Sequence, residues 1–325
     1  MDAFSEVLSS VKLQGALYFN AEFSAPWGID SPRSKFLAPI LSPGASHLII
    51  YHFFIDGPGR ATVNGITHEL IPGDIVMFPH GDPHTLSGSE SGHRCDDSHL
   101  EERLRRRDLS AISMGGGGEK THVVCGYMAC DEKLCAPILA GLPEMIKVNV
   151  RGDASGRWLE NSIRHLVEEA GAMQPGSDAM LAKLSEALFV DTLRRYMSTI
   201  SSEETGWLAA AQDSIVGKTL DLLHTRLAEP WTLATLAKEV GLSRSSLAER
   251  FTRYLNEPPI AYLTRWRLQL GARSLLSTPR SVADIAAEVG YESEAAFNRA
   301  FKRQFGQPPA RFRKQQREAA QAAAS

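Results

Sequence analysis

The stretch IAAEVGYESEAAFNRAFKRQFGQPPARFR, residues 285–313, reads as a helix, a tight turn and a second helix. Ser281 precedes it as the cap of a first helix whose apolar face is Val282, Ile285, Ala286 and Val289. Gly290 supplies the stop, and Ser293 caps a second helix carrying Phe297, Phe301 and Phe305 at helical spacing. A glycine turn this short makes the two helices cross steeply, which is the geometry of a DNA-binding helix-turn-helix.

Working back along the chain, LATLAKEVGLSRSSLAERFTRYLNEPP, from Leu233, repeats the pattern of VADIAAEVGYESEAAFNRAFKRQFGQPP, from Val282. The offset is 49 residues up to Gly241 and Gly290. It then becomes 50, aligning Leu247 with Phe297, Phe251 with Phe301 and Pro258 with Pro308. Between the copies, Ile260, Leu263, Trp266, Leu270 and Leu275 keep helical spacing with Arg265, Arg267 and Arg273 interspersed, so one connecting helix is expected. If it holds the motifs roughly 34 Å apart, both second helices can enter successive major grooves.

Charge supports this reading. Gly217 to Ser325 carries 17 Lys and Arg against 10 Asp and Glu, a net +7, while the remainder is net −10. A basic end attached to an acidic body points to a nucleic-acid-facing module joined to one with another task, with a solvated basic surface as the alternative. On the first recognition helix the expected DNA-facing residues are Arg244, Ser245, Ala248 and Glu249, with Arg250 and Arg253 placed for phosphates. On the second they are Glu294, Ala295, Asn298 and Arg299, followed by Lys302 and Arg303. Arg299 can donate to guanine and Asn298 can pair with adenine.

The region from about Gly217 to Arg317 resembles the AraC/XylS family of transcription regulators, on the opening stretch and on RLQLGARSLL, residues 267–276. The resemblance implies a seven-helix DNA-binding domain with two helix-turn-helix units and double-stranded DNA as partner. RNA polymerase is a further expected partner. Activation is the expected sense, although the residues themselves do not separate it from repression.

The other two-thirds divides in composition. RWLENSIRHLVEEAGAM and SDAMLAKLSEALFVDTLRRYMSTI, joined by a QPGS turn, read as a helical pair, and in the resembled family helices at this place dimerise. From about Val11 to Val150, short apolar runs such as GALYFNAEF, HLIIYHFFI and THVVCGYMA are broken by Gly, Pro, Asn and Asp, as in a β barrel or jelly roll. GDIVMFPHGDPHTL, residues 73–86, resembles the second cupin motif, with Gly73, Pro79, Gly81 and His84 at the expected spacing. The first motif is degraded to His52. The expected fold is therefore multidomain: an all-β cupin jelly-roll sensor over 1–150, a helical linker and dimerisation segment over 151–212, and an all-α DNA-binding domain over 213–325.

VVCGYMACDEKLC, residues 123–135, holds three of the four cysteines. His52 and His84 lie on strand ends that converge on Cys125 in a jelly roll, and two imidazoles with a thiolate suit zinc. Cys130 is the expected fourth ligand; Glu22, His93, Cys95 and His99 are the other candidates. Metal-free thiol redox sensing and plain packing are the alternatives. Cys135 falls in the early turns of a helix starting near Asp131, where it could pair with Cys130 or simply pack. His80 and His122 read as surface histidines, and the insertion 87–120, with its GGGG and EERLRRR runs, as a mobile flap or a short solvated helix.

An enzyme is not expected, because a metal-dependent cupin enzyme needs four ligands and two of the usual set are missing. The start MDAFSEVLSS has no basic or apolar leader, and no apolar run reaches membrane-spanning length. A cytoplasmic homodimer that senses a small molecule, a metal or a redox signal is the overall expectation.

Overall fold

The computed structural model describes residues 2–10, 13–88, 100–106, 109–130, 132–139, 141–169, 175–201 and 204–323. The chain divides into two compact units, Lys12–Ile200 and Met1–Val11 with Ser201–Ser325. Helix α1 (Ala3–Ser10) opens the chain and belongs to the second unit.

In the first unit β1 (Gln14–Ser24), β2 (Gly28–Ser31), α2 (Ser34–Leu41), β3 (His47–Asp56), β4 (Gly59–Val63), β5 (Ile66–Leu70), β6 (Asp74–Phe78) and β7 (His84–Ser87) follow one another. After them come α3 (Leu100–Arg106), β8 (Ile112–Gly115), β9 (Lys120–Cys130), α4 (Glu132–Leu139) and β10 (Ile146–Asn149). They form a six-stranded sheet in the order β10, β6, β3, β9, β1, β8 and a four-stranded sheet in the order β2, β7, β4, β5. Both sheets feed one apolar core, with Phe19, Phe23, Phe54, Phe78 and Cys125 from the first and Ala61, Val63, Leu70 and Leu86 from the second. The domain is mostly β where all-β was expected, with α2, α3 and α4 set between its strands.

Strand β3 is buried from Leu48 to Ile55, on both faces, which is why HLIIYHFFI is apolar without alternation. Leu48, Ile50 and Phe54 share the core side. On the other face Tyr51 donates its hydroxyl to Ser185 Oγ at 2.8 Å, on helix α6 (Ser177–Met197). The Tyr51 ring lies over Gly126, where an added Cβ would stand 2.1 Å from it; hence the glycine in the CGY run. Helix α5 (Ala154–Glu169) is anchored to the same sheet by Arg164, which donates to Asp56 at 2.7 Å and to Glu160 at 3.2 Å. The unit boundary at residues 200 and 201 therefore divides the expected linker, 151–212: α5 and α6 go with the β domain, and residues 201–212 go with the helical unit.

The second unit is helical: α7 (Trp207–Gln212), α8 (Val216–Thr225), α9 (Leu233–Val240), α10 (Arg244–Leu255), α11 (Pro259–Ser277), α12 (Val282–Glu288), α13 (Glu294–Phe305) and α14 (Pro309–Ala323). Helices α8 to α14 are the seven expected. Thr232, Ser243, Ser281 and Ser293 each accept a backbone N–H at an N-terminus, satisfying donors that the helix leaves unpaired. Gly241 and Gly290 turn the chain at φ +73° and +80°.

Leu247 and Phe251 are the fully buried row of α10, and Phe297 and Phe301 pin α13 to a core shared with Leu268, Leu275 and Ile285. Arg267 of α11 fixes the connector by donating to the carbonyls of Leu227, Glu229 and Gly290. Under the first motif, Trp207 Nε1–H donates to Tyr262 Oη, and Tyr262 Oη stands 2.8 Å from His224 Nε2. Burial, with Arg265 adding to it, pushes His224 down to about 3. Among the described residues no helix is long and apolar enough to cross a membrane.

Candidate nucleic-acid interface and sensor cavity

Each recognition helix keeps one apolar row inside and turns the rest outward. On α10 Arg244, Ser245 and Glu249 are exposed and Ala248 is half-buried. On α13 Glu294, Ala295, Arg299 and Lys302 are exposed, and half-buried Asn298 stands 3.5 Å from Glu294 Oε1, too far for more than a weak bond. The side chains of Arg244, Arg299 and Lys302 have no hydrogen bond or ion pair among the described residues. Three cations are thus presented without a protein partner, as phosphate or base contact requires.

Arg250 differs. Its guanidinium grips Asp213 through Nε at 3.1 Å and a terminal nitrogen at 2.7 Å, and Tyr254 donates to the same carboxylate at 3.1 Å. Asp213 is held below the usual carboxylate range by Arg250 and by the N–H groups of Val216 and Ile215, against the opposing effect of its burial. The expected phosphate contact is therefore a strut between α10 and the start of α8. Arg253 lies over the Tyr254 ring, 4.8 Å from its centroid.

In the β unit His52 stands opposite Cys125 on neighbouring strands, and β7 begins at His84. His52 Nδ1 is 2.8 Å from Cys125 Sγ, and His52 Nε2 is 2.7 Å from His84 Nε2. His84 Nδ1 is 2.8 Å from the Asp82 carbonyl. That carbonyl can only accept, so His84 carries its proton on Nδ1 and its Nε2 is bare. His52 Nε2–H then donates to His84, which leaves His52 Nδ1 bare toward the Cys125 thiol. The chain of hydrogen bonds has one direction, from S–H to carbonyl.

All three side chains are buried. Burial pushes the Cys125 thiol up and His52 well below its ordinary value, with His84 adding to the latter, and it lowers His84 to about 4. The triad is neutral at pH 7. Beside it lies a cavity of about 40 Å³ lined by His52, Cys125, Tyr18, Phe23, Leu86 and Leu104, and bounded at the exposed residues Asp30 and Pro32. Leu104 comes from α3, so part of the expected flap is a helix that buries one leucine against the cavity.

Imidazole and thiolate are zinc's usual ligands, so donor types suit that ion, but their placement does not. Two donors on one tetrahedral zinc stand roughly 3.3–3.7 Å apart, each aiming one lone pair at a common point. Here the contacts are shorter and use both nitrogens of His52, which diverge. Cys130 does not join them: five residues along an unbroken strand it sits on the opposite face, about 16 Å away, paired with His47. Glu22 pairs with His122 further along β1. Among the described residues no group of three or more His, Cys, Asp or Glu is placed to hold a metal ion. His93, Cys95 and His99 lie outside the described residues.

Other expectations resolve locally. Cys135 is buried on α4. His80 is half-buried with Nε2 3.0 Å from the Leu142 carbonyl, and His122 Nε2 is 2.8 Å from Asn20 Oδ1, so neither is a plain surface histidine.

Two capped helix-turn-helix motifs on a fixed connector, in a chain that also folds a β domain around an enclosed polar triad, define a DNA-binding regulator with a second, non-DNA module. A family model described as Cupin matches residues 2–198, and one described as Helix-turn-helix domain matches residues 236–315. The chain belongs to the AraC-like transcription regulators. It is 32% identical over 317 residues to a putative AraC-like transcription regulator of Streptomyces antibioticus, covering 97% of this chain and 99% of that one. It is 27% identical to the HTH-type transcriptional regulator AlkR of Acinetobacter baylyi (97% and 100% covered) and 26% to the RCS-specific HTH-type transcriptional activator RclR of Escherichia coli (98% and 100%).

Proposed function

We propose that this transcription regulator reads a small uncharged molecule in the cavity beside His52 and Cys125, and that occupancy shifts the β unit between states with different consequences for DNA binding. The observation that carries the reading is the cavity wall. It is aromatic and aliphatic, its buried polar groups are neutral, and among the described residues its only charged lining residue is Asp30. An anion finds no cation there, whereas a neutral apolar molecule with one polar group can pack and still hydrogen-bond.

The rival reading, a metal-dependent cupin enzyme, draws no support from ligands that fail to converge. Homodimerisation through α5 and α6 fits the exposure of Trp158 and Met180 on those helices. Action in the cytoplasm, contact with RNA polymerase and activation of transcription complete the proposal.

The test is a melting screen of the full chain against small alcohols and ketones, with Ile29→Trp, which fills the cavity mouth, as control. A compound that stabilises the wild type alone and changes its footprint on promoter DNA supports the reading. Equal shifts in both proteins would sink it.

A further inference from the structure

We infer that Cys125 is a covalent trap for small α,β-unsaturated aldehydes or ketones, with His52 as its base and His84 as the group that orients the base. The inference rests on the cavity reading and names the chemistry of its ligand.

A nucleophile, a base within hydrogen-bond reach and a third group fixing the base form a recurring constellation. Here the parts are the Cys125 thiol, the bare Nδ1 of His52 at 2.8 Å, and His84 accepting from His52 Nε2–H at 2.7 Å. The Asp82 carbonyl fixes the tautomer of His84, and through it that of His52. Were the tautomers reversed, His52 would present N–H to the sulfur and could take no proton from it. Both Cys125 and His52 face the cavity, so an electrophile held there meets the sulfur and the base together.

The step balances without oxidant or leaving group. As Cys125 Sγ bonds to the β-carbon, the C=C electron pair moves toward the carbonyl and the thiol proton passes to His52 Nδ1. The resulting imidazolium still donates from Nε2 to His84. The enolate then takes the proton back from Nδ1 at its α-carbon, and S–H has been added across C=C. Concerted transfer suits this site, because burial disfavours a free thiolate–imidazolium pair before attack.

Size selects the electrophile. A cavity of about 40 Å³ holds a molecule of a few heavy atoms, given that one water needs roughly 10–15 Å³. Cys130 and Cys135 are also buried thiols, but neither lines this cavity, so they serve as internal controls.

The experiment treats the full-length protein with methyl vinyl ketone and follows each cysteine by peptide mass mapping. Butan-2-one, of similar shape but without the C=C bond, serves as a separate probe of cavity binding by melting temperature. We expect Cys125 to be alkylated at least about tenfold faster than Cys130 and Cys135, and the advantage to be lost in His52→Gln. His84→Gln, which keeps the base but alters its orientation, should give an intermediate rate and serves if His52→Gln does not fold. Alkylation of all three cysteines at one rate, or an inert Cys125, overturns the trap. If butan-2-one then still stabilises the wild type and not Ile29→Trp, the cavity reading stands without it; if it stabilises neither, both fail.

Discussion

At the scale of single residues, the two recognition helices separate arginines that look alike in sequence. Arg299 is exposed and has no partner among the described residues, so Arg299→Ala should weaken specific binding by about 1–3 kcal/mol in a gel-shift titration while leaving the melting curve in place. Arg250→Ala should do the reverse, lowering stability because the buried Asp213 loses its cation. That difference was hidden in the sequence, since Asp213 lies 37 residues upstream and no local pattern couples the two. The expectation that Cys130 joins Cys125 failed on a rule the sequence already held: on one unbroken strand, five residues apart means opposite faces. His224 carries a pH prediction. Its unfolded value is 6.5 and its folded value about 3, so the unfolded chain takes up a proton first as pH falls. Stability is full above 6.5 and drains as pH drops toward the folded value, by about 2 kcal/mol between pH 7 and 5. In chemical denaturation at both pH values, the fall in stability should be smaller in His224→Leu than in wild type by about that amount, while the share from His52 and His84 remains in both.

At the scale of elements, what could be read and what could not follow from range. Both helix-turn-helix units were written locally, in the caps Thr232, Ser243, Ser281 and Ser293 and in the stops Gly241 and Gly290. The strands HLIIYHFFI and THVVCGYMA were also recognisable, and their meeting brought His52 to Cys125 as expected. The place of α5 and α6 was not legible, because an amphipathic helix shows that it buries a face but not against what. Gly126 records the answer in retrospect. With Tyr51 lying across it and bonded to Ser185 of α6, Gly126→Ala should force the ring aside and cost the β unit about 1–3 kcal/mol, measured by urea unfolding. Tyr51→Phe should be milder, since it loses one hydrogen bond and keeps the ring.

At the scale of the whole molecule, the first eleven residues belong with the last hundred and twenty-five rather than with the strands that follow them. Nothing in MDAFSEVLSS announces this, because a short amphipathic helix can dock on any apolar surface. The contacts decide it: the Ala3 N–H donates to Asp221 Oδ1 at 2.7 Å, the Phe4 ring stands 6.2 Å from Trp207, and Val7 is 1% exposed. Trp207 in turn donates to Tyr262, which is hydrogen-bonded to His224, so α1 covers the aromatic floor on which the first helix-turn-helix motif is built. Burying Val7 alone is worth about 2 kcal/mol. Deleting residues 2–10 should therefore lower the melting temperature of the helical unit and leave that of the β unit unchanged. Trp207 fluorescence would follow the first and near-ultraviolet signals from a Trp27→Phe comparison the second. Val7→Asp should reproduce the deletion, since it replaces the buried side chain with an unpaired charge. An unchanged Trp207 transition in both variants would mean that α1 rests on the helical unit without stabilising it.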